Sequence, residues 1–162
     1  RKWQTATIQL DFNLPEIFEL TYQDENDTKQ TPVVIHRAIF GSYERFIAIL
    51  IEHFNGDFPT WLAPEQIRIL SVSQKSNEYA VGLLRSLQAF QSVRAAVDLT
   101  DERLGRKIVA ARHYKIPWML VVGERDRDNK TVSVRHREHG DIGAMTLEAF
   151  TRLYFDGGAL KS

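Results

Sequence analysis

Hydrophobic positions follow two different rhythms along this chain, and the rhythm changes near residue 64. Over residues 5–12 they alternate: Ala6, Ile8, Leu10 and Phe12 fall on one side, Thr5, Thr7, Gln9 and Asp11 on the other. Period two predicts a strand with one apolar and one polar face. The polar face carries short neutral groups and an amide instead of a run of Lys and Glu. That suits either the lining of a small-ligand pocket or the outer face of a half-exposed antiparallel strand. Residues 15–20 predict a short helix or turn. Residues 20–37 read as a hairpin around Asp24-Glu25-Asn26-Asp27, returning through Thr31-Pro32-Val33-Val34-Ile35. The stretch from Val33 to Phe54 then predicts a buried strand, a turn at Gly41 and a helix apolar on nearly every face. His36, Glu44 and Arg45 are the residues in it that core packing does not ask for.

Gly56, Pro59 and Pro64 break the pattern within ten residues and mark a junction, with the boundary near residue 64. Trp61 and Leu62 are apolar for a linker and are expected to pack between the two parts. Beyond it, strand and helix periods alternate. Ile67–Val72 predicts a strand, and Ser73 caps a helix to about Phe90 through Ala80, Leu83, Leu84 and Leu87. A strand over 93–99 precedes a helix from Thr100 or Asp101 to Tyr114, with Leu104, Ile108 and Ala111 inward. Residues 116–122 are almost wholly apolar, as a central parallel strand requires. Asp126–Asn129 reads as a loop, residues 131–137 as a strand, and 146–154 as a last helix. The order βαβαββα implies an α/β layer with a mixed sheet.

Composition narrows the function classes without naming one. Hydrophobic content of 43% and charged content of 26% are those of a soluble globular chain. Basic and acidic residues balance at 21 each, so any nucleic-acid contact must come from a local patch. Two such patches stand out: Arg103, Arg106, Lys107, Arg112 and Lys115 on the exposed side of one helix, and Arg125, Arg127, Lys130, Arg135 and Arg137 later on. Each is interleaved with or near acidic residues and reads first as a solvated face, with phosphate contact the other reading. There is no cysteine, which removes disulfides, thiol nucleophiles and thiolate metal ligands and is compatible with the cytoplasm. No signal peptide or membrane-spanning run is visible, and the apolar helix at 46–51 is too short to span a bilayer. No phosphate-loop or dinucleotide signature occurs, nor a serine triad. His113, His136 and His139 read as surface groups. The abrupt start in strand-like sequence reads as a fragment.

The string Gly41-Ser42-Tyr43-Glu44-Arg45-Phe46 resembles motif 3 of class II aminoacyl-tRNA synthetases. Preceded by Val34-Ile35-His36-Arg37-Ala38, it is similar to the threonyl-tRNA synthetase family. Residues 3–12 and Phe58-Pro59-Thr60-Trp61-Leu62-Ala63-Pro64 resemble the same family, and the resemblance continues to about Leu153. It implies the end of an antiparallel-sheet catalytic core (residues 1–64, including motif 3). An α/β anticodon-binding domain with a mixed sheet follows (65–162).

What the resemblance implies chemically is threonine–tRNA ligation: ATP with Mg2+ activates threonine, which passes to tRNA-Thr. Arg45 matches the motif 3 arginine that contacts ATP phosphate or stacks on adenine. Gln9 matches the glutamine that helps hold the amino acid. Gln4 and Thr7 match positions near the adenylate. His36 matches one of three protein ligands of a Zn2+ ion; the other two, a Cys and a His, come from earlier sequence absent here, so tight zinc binding by this chain is not expected. Arg135 matches an arginine that reads an anticodon base. Asp126 stands where the family carries a glutamate and Asp101 where some members carry Asn, which alters the base contacts. A homodimeric full-length enzyme is implied, with the isolated chain inactive and its residual activity tRNA binding. The alternative is a non-catalytic tRNA-binding or regulatory module that keeps the fold.

Overall fold

The computed structural model describes residues 2–156. The chain forms two compact units that divide between Asn55 and Gly56. In the first, β1 (Thr7–Asp11) is followed by a short helix α1 (Asn13–Ile17), the two-residue strands β2 (Tyr22–Gln23) and β3 (Lys29–Gln30), then β4 (Val34–Ala38) and helix α2 (Tyr43–Phe54). β1 and β4 pair antiparallel, with Gln9 opposite His36 and Thr7 opposite Ala38. The expected hairpin over residues 20–37 is shorter than the sequence pattern suggests. Asp24 Oδ1 accepts the N–H groups of Asn26 and Thr28, each at 2.9 Å, so the chain turns back at once. β3 then takes the pairing with β2 and leaves β4 to β1.

The expected buried strand and core helix are also corrected. Among the described residues of this unit only Pro15 is buried. Ile8, Leu10, Ile35, Ile47 and Ile51 all remain exposed. A two-stranded ladder and one helix present too little surface to cover one another.

The second unit contains β5 (Ile67–Ser71), a 3-10 turn over Gln74–Ser76, α3 (Asn77–Gln88), β6 (Ala95–Asp98), α4 (Leu104–His113), β7 (Trp118–Val122), α5 (Glu124–Asn129), β8 (Thr131–His136), β9 (Gly140–Thr146) and α6 (Leu147–Asp156). The sheet order is β6-β5-β7-β8-β9, with β5 parallel to β6 and β7 and the last three strands antiparallel. This is the expected mixed α/β sheet with one strand more, since β9 has no counterpart in the hydrophobic pattern. One sheet face packs Ile67, Ile69, Trp118, Leu120, Val132 and Val134 with residues of α3 and with Phe150 of α6. The other packs Leu70, Met119 and Val121 with Ala111 of α4.

Residues 56–64 are fastened to this second unit by two arginines. Arg94 donates to the carbonyls of Trp61 (2.8 Å) and Ala63 (2.9 Å). Arg137 donates to Phe58 O (3.2 Å) and Lys115 O (2.9 Å) and pairs with Asp57 at 2.6 Å. Trp61, expected to be packed away, is 70% exposed because its backbone, not its ring, is what Arg94 holds.

Candidate functional site

In the first unit, alternation along β1 puts Thr7, Gln9 and Asp11 on one face, and the register adds His36 directly opposite Gln9. The structure thus brings three of the candidate residues, Thr7, Gln9 and His36, onto one polar face. Asp11 joins them: its Oδ2 meets His36 Nε2 at 2.9 Å. Its Oδ1 accepts the N–H groups of Asn13 and Leu14 at 3.0 Å each. The Leu14 amide and the His36 ring hold the Asp11 carboxyl below its ordinary value. Asp11 therefore orients the imidazole, as carboxylates orient metal-ligating histidines. Its place on the polar face of β1 was visible in the alternation, but its pairing with His36 depends on the β1–β4 register.

Arg45 sits in the first turn of α2. Gly41 (φ +74°) makes the preceding turn, and Ser42 caps the helix by accepting the Arg45 N–H at 3.3 Å. Its guanidinium lies 5.8 Å from the centroid of the Trp3 ring. Gln4 follows Trp3 in the exposed segment leading into β1. No side-chain bond among the described residues ties Arg45 or Gln4 to the Thr7–Gln9–His36 face.

Zinc is implied by the family resemblance, and the residues present do not suffice for it. The donor set is one imidazole beside one carboxylate. Zinc sites take at least three protein ligands, and no group of three His, Asp or Glu side chains among the described residues is placed to hold a metal.

In the second unit Asp101 and Asp126 lie past the carboxyl ends of the parallel strands, whereas Arg135 pairs with Met119 near the amino end of β7. The chain passes from β5 by α3 to β6, then by α4 on the opposite face to β7 on the far side of β5. Such a switch point leaves a crevice at the strands' carboxyl ends, where ligands bind in open α/β sheets. Asp101 lies in the exposed loop after β6, and Asp126 lies just past β7.

Residues 124–129 form a short helix, where a loop was expected. Asp126 Oδ2 accepts the Gly123 N–H at 3.0 Å and closes its first turn. Asp126 Oδ1 accepts the hydroxyls of Ser133 (3.1 Å) and Thr131 (3.4 Å). Along β8, Val132, Val134 and His136 turn into the core while Thr131, Ser133 and Arg135 share the other face. Arg135 therefore stands two residues beyond the Asp126–Ser133 bond on that same face. Among the described residues it has no ion pair or side-chain hydrogen bond.

Much of the expected basic surface is otherwise engaged. Arg106 pairs with Glu102, Arg127 with Asp128, and Arg137 with Asp57 and Glu138. Lys107, expected on the exposed side of its helix, is buried at 3% exposure. It donates to Ser71 O at 2.8 Å and Asp98 O at 3.3 Å, with Asp98 Oδ1 at 3.5 Å. His136, expected at the surface, is buried against Trp118, with ring centroids 4.5 Å apart. His113 and His139 are exposed, as expected.

The anticodon binding domain family matches residues 66–153, more than half of the chain, and the tRNA synthetase class II core domain (G, H, P, S and T) matches residues 1–54. The chain belongs to the anticodon binding domain family, here preceded by class II core sequence. Across both regions it is similar to threonine–tRNA ligases, as the resemblance implied. It is 51% identical over 150 residues to that of Syntrophomonas wolfei subsp. wolfei, covering 93% of this chain and 24% of that protein. Against that of Bacteroides thetaiotaomicron it is 50% identical over 153 residues, covering 94% and 24%. The solved RNA binding domain of threonyl-tRNA synthetase from Cryptosporidium parvum Iowa II superposes with a TM-score of 0.80 at 37% identity, covering all of this chain and 41% of that one. The chain thus spans about a quarter of the length of the curated relatives it matches. Among the described residues no helix is long and apolar enough to cross a membrane.

Proposed function

We propose that this chain is part of a threonine–tRNA ligase, comprising the last portion of its class II core and the domain that reads the anticodon of tRNA-Thr. The observation that carries the reading is Arg135: an arginine with no partner among the described residues, on an open sheet face beside the Asp126–Ser133–Thr131 cluster. A planar donor fork held on a rigid strand is suited to the edge of an unstacked RNA base. Asp101 and Asp126 lie past the carboxyl ends of β6 and β7. Asp126 spends both oxygens within the protein, so its part is to fix Ser133 and Thr131 rather than to accept freely from a base.

In the whole enzyme ATP with Mg2+ would activate threonine, releasing pyrophosphate, and the threonyl group would pass to tRNA-Thr. This chain's share of that chemistry is positioning. Gln9, facing His36 across the ladder, holds the amino acid. Thr7 and Gln4 line the adenylate's approach, and the Arg45 cation stabilises phosphate charge or stacks on adenine. His36 is the single imidazole this chain offers to a zinc site completed by residues outside it. A cytoplasmic homodimer follows from the same reading. A non-catalytic RNA-binding module would share Arg135 and Asp126 but has no use for the Gln9–His36 pair.

The test is binding of this chain to tRNA-Thr transcripts with native and altered anticodons across a salt series. The altered transcript should bind about tenfold or more weakly, the discrimination expected of one bidentate base contact, and Arg135→Ala should abolish the difference. Equal binding that vanishes with moderate salt would mean phosphate contacts alone and sink the anticodon reading. For the ligase reading, ATP–pyrophosphate exchange by the parent gene product must depend on threonine.

A further inference from the structure

A recess of about 250 Å³ lies wholly within the second unit, away from the candidate residues described above. One wall is the fastened segment, with Gly56, Phe58, Ala63 and Pro64; the other is the turn from α4 into β7, with Tyr114, Lys115 and Ile116. Backbone geometry builds that turn. Lys115 sits at φ +54°, its N–H bonds to Arg112 O at 2.9 Å, and the Ile116 N–H bonds to Ala111 O at 3.1 Å. This is a Schellman ending of α4, with Lys115 in the left-handed position. It turns Ile116 into the core and leaves Tyr114 70% exposed. Arg137 joins the two walls, since its Nη1 donates both to Phe58 O and to Lys115 O.

The lining combines apolar surface, rings and positive charge. Ala63, Pro64 and Ile116 supply the apolar part, and Phe58 and Tyr114 the rings. Arg68 lays its guanidinium 5.5 Å from the Tyr114 centroid and donates to both oxygens of Glu65, from Nε at 2.7 Å and from Nη2. Two cations, Arg68 and Lys115, stand against the one carboxylate of Glu65, so the lining carries a net positive charge. The Lys115 ammonium lies at the Gly56 edge, 3.9 Å from where a Gly56 Cβ would be. An apolar cavity of about 150 Å³ holds one benzene ring, so the larger recess takes a six-membered ring with a short substituent.

We propose that this recess binds a small aromatic anion, a single ring bearing one carboxylate. The ring lies against Ala63, Ile116 and Tyr114, and the charge points to the Lys115 ammonium. Because an occupant touches both walls, it ties residues 56–64 to the α4–β7 turn. The site stands apart from the anticodon and ligase readings and does not depend on either.

The experiment titrates the full chain with benzoate, with benzyl alcohol as its uncharged counterpart and with inorganic phosphate, following the methyl resonances of Ala63 and Ile116. Benzoate should shift both resonances saturably. Benzyl alcohol should bind about tenfold more weakly, the loss of one charge-assisted contact, and phosphate should shift neither. Lys115→Met keeps the apolar stem and removes the charge, so it should lower benzoate affinity about tenfold and leave benzyl alcohol unaffected. Ala63→Leu fills the recess and should abolish binding of both. Benzoate at ten times its dissociation constant should slow chymotryptic cleavage after Trp61 about tenfold, because the segment opens only after release. Equal affinity for benzoate and benzyl alcohol, or for benzoate in parent and Lys115→Met, would mean an apolar crevice and overturn the anion assignment. Phosphate shifts matching those of benzoate would mean a charged patch with no ring site. Benzoate binding that survives Ala63→Leu, unchanged cleavage under saturation, or no saturable shift at all would overturn the site itself.

Discussion

Replacing Lys107 with Met should destabilise the second unit by about 2–4 kcal/mol. The two side chains are similar in volume, so the cavity cost is small. What is lost is the ammonium, which is 2% exposed at the side chain and bridges Ser71 O, Asp98 O and the Asp98 carboxylate. Ser71 is buried, so its carbonyl is left without this donor at a cost of about 1–3 kcal/mol. Asp98 is 20% exposed at the side chain and keeps bonds from the Thr100 N–H (3.0 Å) and hydroxyl (2.6 Å), so its loss is nearer 1 kcal/mol. Burial works to raise the Asp98 carboxyl, and Thr100 and Lys107 together outweigh it and hold it below its ordinary value. Its contribution to stability is therefore present above about pH 4 and lost as pH falls through the lower folded value. The assay is urea unfolding followed by the emission of buried Trp118. For a domain of this size the change corresponds to about 10–25 °C in melting temperature. Adding Asp98→Asn to Lys107→Met should recover part of the loss by removing the unpaired charge. A Lys107→Met chain within about 0.5 kcal/mol of the parent would refute the account, because a bridging ammonium this buried cannot be that cheap to lose.

His136 accepts the N–H groups of Glu138 (3.3 Å) and His139 (3.4 Å) at Nδ1, and burial, with His139 and Arg137 nearby, pushes its pKa below the usual value of 6.5 against the opposing pull of Glu138. Its share of stability is complete above that value and falls as pH drops toward the folded pKa. Melting temperature should decline between pH 7 and 5, and His136→Gln should flatten the decline; an unchanged slope would count against the assignment. Gly143 holds φ at +105° beside a shift in the β8–β9 register, and Gly143→Ala should cost about 1–3 kcal/mol from backbone strain alone, since a Cβ there meets nothing within 4 Å; a cost below 0.5 kcal/mol in urea unfolding, roughly the scatter of surface substitutions, would mean this backbone tolerates a side chain. Arg94→Ala should speed chymotryptic cleavage after exposed Trp61 by roughly tenfold, the population change for a lost charge-assisted bond of about 1.4 kcal/mol, and equal rates would show that Arg94 does not hold residues 61–63.

Where hydrophobic periodicity alone decides structure, the sequence was readable. The apolar run 116–122 becomes the wholly buried β7, and Leu104, Ile108 and Ala111 face the core as their spacing requires. α5 was missed because its first turn is closed by the Asp126 carboxylate, not by an apolar stripe. β9 was missed because glycines at 140 and 143 and Asp141 have low strand propensity, and pairing with β8 overrides it. Two polar residues were placed on the wrong side although their positions carried the signal. Lys107 lies three residues after Leu104 and four before Ala111, on the helix's inward stripe. His136 continues the alternation of Val132 and Val134. In both cases the residue type outweighed the period, and the partners that make burial tolerable are distant in sequence: Ser71 for Lys107, Trp118 for His136. The candidate site was legible in part. Gln9 opposite His36 and Arg135 on an outward face follow from alternation plus register, while the shift in β8–β9 register that sets Asp141 opposite Arg135 does not.

The two units differ in how much of their own burial they supply, and that difference sorts the functional claims. In the second unit both sheet faces are covered over β5 and β7, and Arg135, the proposed base reader, stands on a strand fixed by that core. A site so supported keeps its geometry without help, so the proposed base discrimination should be measurable on this chain itself. In the first unit the polar face of Thr7, Gln9, Asp11 and His36 is backed by Ile8, Leu10 and Ile35, all exposed. Among the described residues, side chains on this ladder are held by the β1–β4 register, the Asp11–His36 contact and the Asp11 bonds to the Asn13 and Leu14 N–H groups. The placement of an amino acid proposed for Gln9 needs more rigid backing than that, since a displacement of about 1 Å costs roughly a hundredfold in rate. Measured on this chain, then, mutation of Arg135 should move RNA selection, whereas mutation of Gln9 or Arg45 should register only in the parent gene product's threonine-dependent pyrophosphate exchange.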